Sequence, residues 1–250
     1  MKIVILSLLI IISTGCFGQE VAILLKEASN LEKALKDNES LDKYKEVLKA
    51  DPTNLIALIK SGEIASGIGG RLSDKKQKNE WYNVAKDYIE RALLVDSNSA
   101  EANYVRALLA GKYGEIESEN KKLAGYLKEM NKYADRALAL NADNGKANFI
   151  KGKWHYDMLL LPWAKKTALK VFFGGMPDGN IDSVYKYFEK CRVLEPYFVP
   201  NFYFLAKAYR SDDKPAKAIE VLNQLVKLPL RTSDDSALKA EGKVMLNEMQ

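Results

Sequence analysis

The sequence predicts an all-α chain folded as a right-handed array of antiparallel helical hairpins, and three observations predict it. Apolar residues recur at intervals of three and four, as in Leu24, Leu31 and Leu35 or Ala85, Ile89 and Ala92, which gathers them on one helix face. No run of β-branched residues alternates with period two. The interruptions are themselves periodic: the turn residues Asp51, Asp96, Asn141 and Glu195 are separated by 45, 45 and 54 residues, the mark of stacked like units.

Composition narrows the function classes. The 250 residues carry 38 Lys+Arg against 33 Asp+Glu, a net charge of +5 too mild for a dedicated nucleic-acid binder. Two cysteines and one histidine leave no material for a zinc site or a disulfide framework. With 15 Gly and 7 Pro the chain is also too poor in turn residues for a β-rich fold.

The chain opens with an address. Met1-Lys2 is a short positive start, residues 3–12 are apolar apart from Ser7, and Ser13, Thr14 and Gly15 follow. That run is about half of the ~20 residues needed to span a bilayer, and its flanks are those of a signal peptide over residues 1–18. Two processing routes are open: cleavage after Gly18, or lipidation of Cys16 after Gly15. Either places residues 19–250, read as one helical repeat domain, in the periplasm or cell envelope. Cys191 is then expected to be a buried thiol with no disulfide.

The helices after this segment are separated by residues that end one helix and cap the next: Asp51-Pro52-Thr53-Asn54, Asp96 to Ser99, Asn141 to Asn144, and Glu195-Pro196. Eleven residues past each turn residue stands a small one, Gly62, Ala107, Gly152 and Ala206. Eight past stand Ile59, Tyr104, Phe149 and Tyr203, and four before stand Val47, Ala92, Ala137 and Cys191. Small residues at a crossing let two helix axes approach while a large neighbour fills the gap. Residues 71–81 and 115–126 are expected to lengthen the second helix of each pair.

In such an array the first helices line a concave face. Counting along one helix face from the small residues gives Ile59, Glu63 and Ser66; Tyr104, Leu108 and Gly111; Phe149, Lys153 and Tyr156; and Tyr203, Lys207 and Arg210. Lys153, Lys207 and Arg210 beside Tyr104, Phe149, Tyr156 and Tyr203 suit a ligand with an anionic end and an extended body, either a peptide or protein segment or a phospholipid. Residues 161–173 account for the longer third spacing. Wound as a helix, they place Ala164, Ala168, Val171 and Phe172 on one side and Lys165, Lys166 and Lys170 away from it. That side is expected to pack on the array, with an anionic membrane surface as the other candidate.

The remaining candidates read as structure. His155 lacks partners for general base or metal chemistry. The run from Gly174 to Gly179 lacks the Lys-Ser/Thr of a phosphate loop and reads as a turn. Asp212-Asp213 and Asp234-Asp235 read as helix caps. No hydrolase or metalloprotease motif occurs, so neither an enzyme nor a cofactor is expected.

The last unit resembles the tetratricopeptide repeat: Phe202, Leu205-Ala206, Tyr209, Ala218, Leu222 and Leu228-Pro229 fall on its large, small, aromatic and closing positions. Earlier units depart from it, with Asn103 and Asn148 where the repeat has a bulky residue. Over residues 131–249, Ala137-Leu138, the stretch Lys151 to Tyr156, Leu161-Pro162-Trp163, Phe172-Phe173-Gly174 and Leu194-Glu195-Pro196 are similar to the repeat domain of the regulator of microtubule dynamics family. The resemblance implies a repeat domain for protein or lipid contact without enzymatic activity.

Overall fold

A computed structural model describes residues 2–173 and 179–250, with side chains from Gly18 onward apart from Lys170 and Phe173. The side chains of the expected signal peptide, that of Cys16 among them, and the glycine turn at 174–178 lie outside what is described.

The described residues form twelve helices and no strand: α1 (Lys2–Lys33), α2 (Asp37–Ala50), α3 (Leu55–Arg71), α4 (Lys75–Val95), α5 (Ala100–Ile116), α6 (Asn120–Leu140), α7 (Gly145–Leu160), α8 (Trp163–Phe173), α9 (Ile181–Leu194), α10 (Val199–Ser211), α11 (Pro215–Leu225) and α12 (Asp235–Glu248). Five hairpins, α1–α2, α3–α4, α5–α6, α7–α9 and α10–α11, stack in chain order. The first helices α3, α5, α7 and α10 touch one another in sequence along one side, and α12 packs on α10 and α11 as a terminal cap.

The periodic turns share one geometry. The backbone N–H groups of Asp51, Asp96, Asn141 and Glu195 donate to the carbonyls of Val47, Ala92, Ala137 and Cys191 at 2.8, 2.9, 2.9 and 2.7 Å. The side chains of Asn54, Ser99 and Asn144 then cap the next helix by accepting from the N–H of Ala57, Ala102 and Ala147, each worth about 1 kcal/mol. Phe198 cannot do this, and Pro200 presets the first turn of α10 instead. Asn103 and Asn148, which displace a bulky repeat residue, make one device twice. Each is buried and donates its Nδ2 to two carbonyls of the preceding turn, Ser97 and Ser99 or Ala142 and Asn144. The turn carbonyls of Ser97 and Ala142 are thereby satisfied inside the stack.

The small-residue register sits where the two helices of a hairpin cross. A Cβ on Gly62 would lie 2.5 Å from the Ile89 side chain, and one on Gly152 would lie 2.6 Å from the Phe188 ring. Val47, Ala92, Ala137 and Cys191 are all fully buried. Burial and Glu195 push the Cys191 thiol far above its ordinary range, which makes it inert.

Several expectations are corrected. The extra repeat length is shared, because α3 and α5 run on to Arg71 and Ile116 as well as α4 and α6 starting early. Leu35 is not on the α1 face: it adopts φ 60° in a turn that closes α1, with the N–H of Lys36 bonded to Leu31 O and that of Leu35 to Glu32 O. The Asp pairs are not side-chain caps. Asp212 accepts from Tyr185 Oη, while Asp235 folds back onto Arg231 and Thr232. Helix α8 packs on α6, but through Leu169, with Lys165 and Lys166 half-buried and Ala164, Val171 and Phe172 exposed. The rotation has a physical cause. Lys166 Nζ donates to Leu159 O, and Lys128 Nζ on α6 donates to Phe172 O, so ammonium groups satisfy the carbonyls that α7 and α8 leave open at their ends.

Candidate binding groove

Glycine and small residues at the hairpin crossings seat each first helix closely on its second, and the inner faces of the first helices enclose a cavity of about 640 Å³. Its floor is apolar, made by Ile64 of α3, Leu108 of α5, Met130 of α6, Phe149 and Ile150 of α7, and Phe204 of α10. The segment from Arg231 to Leu238, leading into α12, forms the remaining wall.

Several charges of the walls are paired with one another. Glu63 of α3 accepts Lys146 Nζ of α7 at 2.6 Å, Lys60 Nζ at 3.5 Å and Tyr104 Oη at 3.3 Å. Burial alone would raise the Glu63 carboxyl, but Lys146 and Lys60 outweigh it and hold the group at about 2. Lys60 also reaches Glu32 of α1 at 2.7 Å, and Tyr44 Oη of α2 donates to that same carboxylate. Lys146 lies over the rings of Tyr104 and Phe198.

Tyr104, Phe149 and Lys153 line this cavity, as the spacing rule expects; Tyr156, Tyr203, Lys207 and Arg210 do not. Tyr156 is buried between α7 and α10, edge-on to Phe204. Tyr203 Oη donates to Glu241, and Arg210 pairs with Glu248 at 3.1 Å. Both partners belong to α12, which covers the face of α10 that a further repeat would otherwise meet. Lys207 lies over the Tyr203 and Phe204 rings. Lys153 is shared between Asp157 at 2.7 Å and Glu115 at 3.5 Å. Burial pulls its ammonium down, but those two carboxylates leave it above its ordinary range.

Two wall cations have no carboxylate within 4.0 Å among the described residues: Lys112 of α5, and Arg231, which lies over the Tyr197 ring. Sequence counting missed both. Lys112 lies one position past the counted Gly111, and Arg231 stands on a connection with no repeat register. Arg71, the last residue of α3, clasps the mouth: it reaches Asp37 of α2 at 2.5 Å and Asp234 before α12 at 2.8 Å. It thereby joins the first hairpins to the cap across 163 residues of sequence.

His155 faces away from this chemistry. Its ring stacks on Tyr187 and meets Trp154 edge-on, and burial, with help from Lys151, holds its pKa down at about 4. It is a neutral packing residue at pH 7. No group of three or more His, Cys, Asp or Glu that could hold a metal occurs among the described residues, and no helix among them is long and apolar enough to cross a membrane.

Comparison with known proteins gives three findings. The profile of the family described as regulator of microtubule dynamics protein 1-3 matches residues 24–250, a span that reaches back to α1, well before the motifs legible at 131–249. Regulator of microtubule dynamics protein 2 of Mus musculus is 26% identical over 177 residues, covering 70% of this chain and 43% of the relative. The human protein of that name is 25% identical over 180 residues, with 71% and 43% covered. The chain thus spans less than half the length of these relatives. Among solved structures, a thermophilic tetratricopeptide-repeat protein of Thermus thermophilus superposes with a TM-score of 0.63 at 13% identity, covering 90% of this chain and 99% of that one. The type IV pilus biogenesis factor PilW superposes with a TM-score of 0.54 at 19% identity, covering 92% and 90%. Those likenesses establish the hairpin solenoid.

Proposed function

The chain belongs to the regulator of microtubule dynamics family, and from that premise we propose that it is a non-enzymatic binding module that holds an extended peptide or protein segment in the concave groove. One observation carries this reading: the cavity wall has an apolar floor, while of its five cations Arg71, Lys146 and Lys153 are already matched by carboxylates and Lys112 and Arg231 are not. An unmatched ammonium and guanidinium beside buried aromatics suit an acidic side chain or terminal carboxylate on a segment whose apolar side chains reach the floor. A photo-crosslinking residue at Leu108, on the floor, is expected to capture protein adducts in intact cells. The same residue at Leu94, exposed on the outer helix α4, is expected to capture none. Equal capture at both positions rejects the groove as the working face.

The same floor supports a second reading, in which an acyl chain lies on Leu108, Met130 and Phe149 and a phospholipid head meets Lys112 or Arg231. Lipid recovered from Leu108 in place of protein selects it. The module is proposed to act outside the cytoplasm, on the strength of the apolar residues 3–12. A mature N-terminus at Gln19 or a lipid-modified Cys16 fits that placement, and recovery of the chain from cells starting at Met1 contradicts it.

A further inference from the structure

Helix α8 breaks the period of the array and wears its apolar residues on the outside. Trp163 is 81% exposed and Val171 78%, and Leu160, Ala164 and Phe172 are exposed too. At roughly 100° per residue, Trp163, Ala164 and Val171 share one arc, opposite Leu169, which is fully buried against the array. A helix added to complete the core would bury that arc. This one turns Lys165 and Lys166 toward the array and leaves the arc to solvent.

The surroundings of the patch are cationic. Residues 158–173 contain no Asp or Glu, Lys165 and Lys166 flank the buried side, and Lys121 and Lys132 are exposed on α6, the helix beneath. We propose that the α8 patch docks reversibly on an anionic bilayer surface, with Trp163 and Val171 entering the headgroup boundary and the α6 lysines facing the lipid phosphates. Indole favours that boundary because one part of it is apolar and its N–H is polar. Lysine stems can lie along apolar matter while their heads stay with anions. A second copy of this chain fits less well, since a two-fold contact would set this cationic border against itself. The apolar area is small, so the binding is weak and reversible, in the range of a single acyl anchor.

The test uses the full chain and vesicles of phosphatidylcholine mixed with phosphatidylglycerol, built with brominated acyl chains that quench tryptophan on contact. The chain has three tryptophans, of which Trp154 is buried, so subtracting a Trp163→Phe variant isolates the emission of Trp163. That emission is expected to shift blue and be quenched. Leu160→Asp with Val171→Asp, both at exposed positions, is expected to remove the quenching while leaving the circular dichroism melt unchanged, and pure phosphatidylcholine to weaken binding about tenfold. Three results would overturn the proposal. Vesicles could float with the protein while Trp163 stays unquenched, which assigns binding to another part of the chain. Neutral and anionic vesicles could quench equally. Sedimentation could show a dimer, or a complex with an acidic protein, that Val171→Asp dissolves.

Discussion

Replacing Glu63 with alanine is expected to lower folding stability by about 2–3 kcal/mol in a urea titration. The carboxylate joins α3 to α7 through Lys146 and receives Tyr104 of α5, so its loss strands an ammonium and a phenol in a largely buried site. Breaking a buried pair costs about 3–5 kcal/mol. The value expected here is lower because the Lys146 side chain keeps 30% exposure and Lys60 retains Glu32. Adding Lys146→Met to Glu63→Ala removes the stranded charge and is expected to recover most of the loss. Acid separates this effect from simple packing. The folded carboxyl titrates near 2 against an ordinary 4.5, so between those values the unfolded chain binds the proton that the folded one refuses. The gap between parent and variant is therefore constant above about pH 5 and closes as pH falls from 4.5 toward 2. A gap that stays open at pH 2 would assign the effect to packing and not to charge.

Gly152→Leu is expected to cost about 3 kcal/mol, read as a fall of roughly 6–12 °C in melting temperature. Its first side-chain carbon would stand 2.6 and 2.7 Å from two atoms of the Phe188 ring. That ring cannot withdraw, because it is fully buried and stacked against Phe149 at 5.8 Å between centroids. Gly125 of α6 is the control: nothing lies within 4 Å of a Cβ there. Gly125→Leu is expected to hold or raise the melting temperature, since leucine favours a helix over glycine by up to about 1 kcal/mol. Equal melting of the two variants would mean that α7 and α9 do not cross at Gly152.

The hairpin stack was legible in the sequence because each turn solves one local problem with local residues. Asn54, Ser99 and Asn144 cap a helix three residues on, and the small residues eleven past each turn residue are set by a crossing that recurs. The break between α1 and α2 was not legible. It closes through backbone bonds around Leu35 at φ 60°, a conformation leucine rarely takes, with no glycine or proline to announce it. The face of α8 was misread for a related reason. A helical wheel counts apolar residues, whereas the open carbonyl of Leu159, which draws Lys166 inward, and that of Phe172, which Lys128 of α6 meets, belong to backbone ends that only the assembled fold supplies. In the groove, spacing within one repeat located Tyr104, Phe149 and Lys153. The carboxylates that occupy Lys153 and Arg210 come partly from other helices, Glu115 of α5 and Glu248 of α12, so no count along a single helix could reveal that these cations are already taken.

Stacked hairpins ordinarily fray from their free ends, because each unit leans on its immediate neighbours alone. The Arg71 clasp changes that boundary condition: through Asp37 and Asp234 it makes the second and the last helices neighbours in energy although they are remote in sequence. Each such half-exposed pair is worth no more than about 1 kcal/mol, too little to hold the solenoid together. It is expected to make loosening of α12 felt at α2, so that the open string acts in part as a ring and amide protons at those two places exchange together.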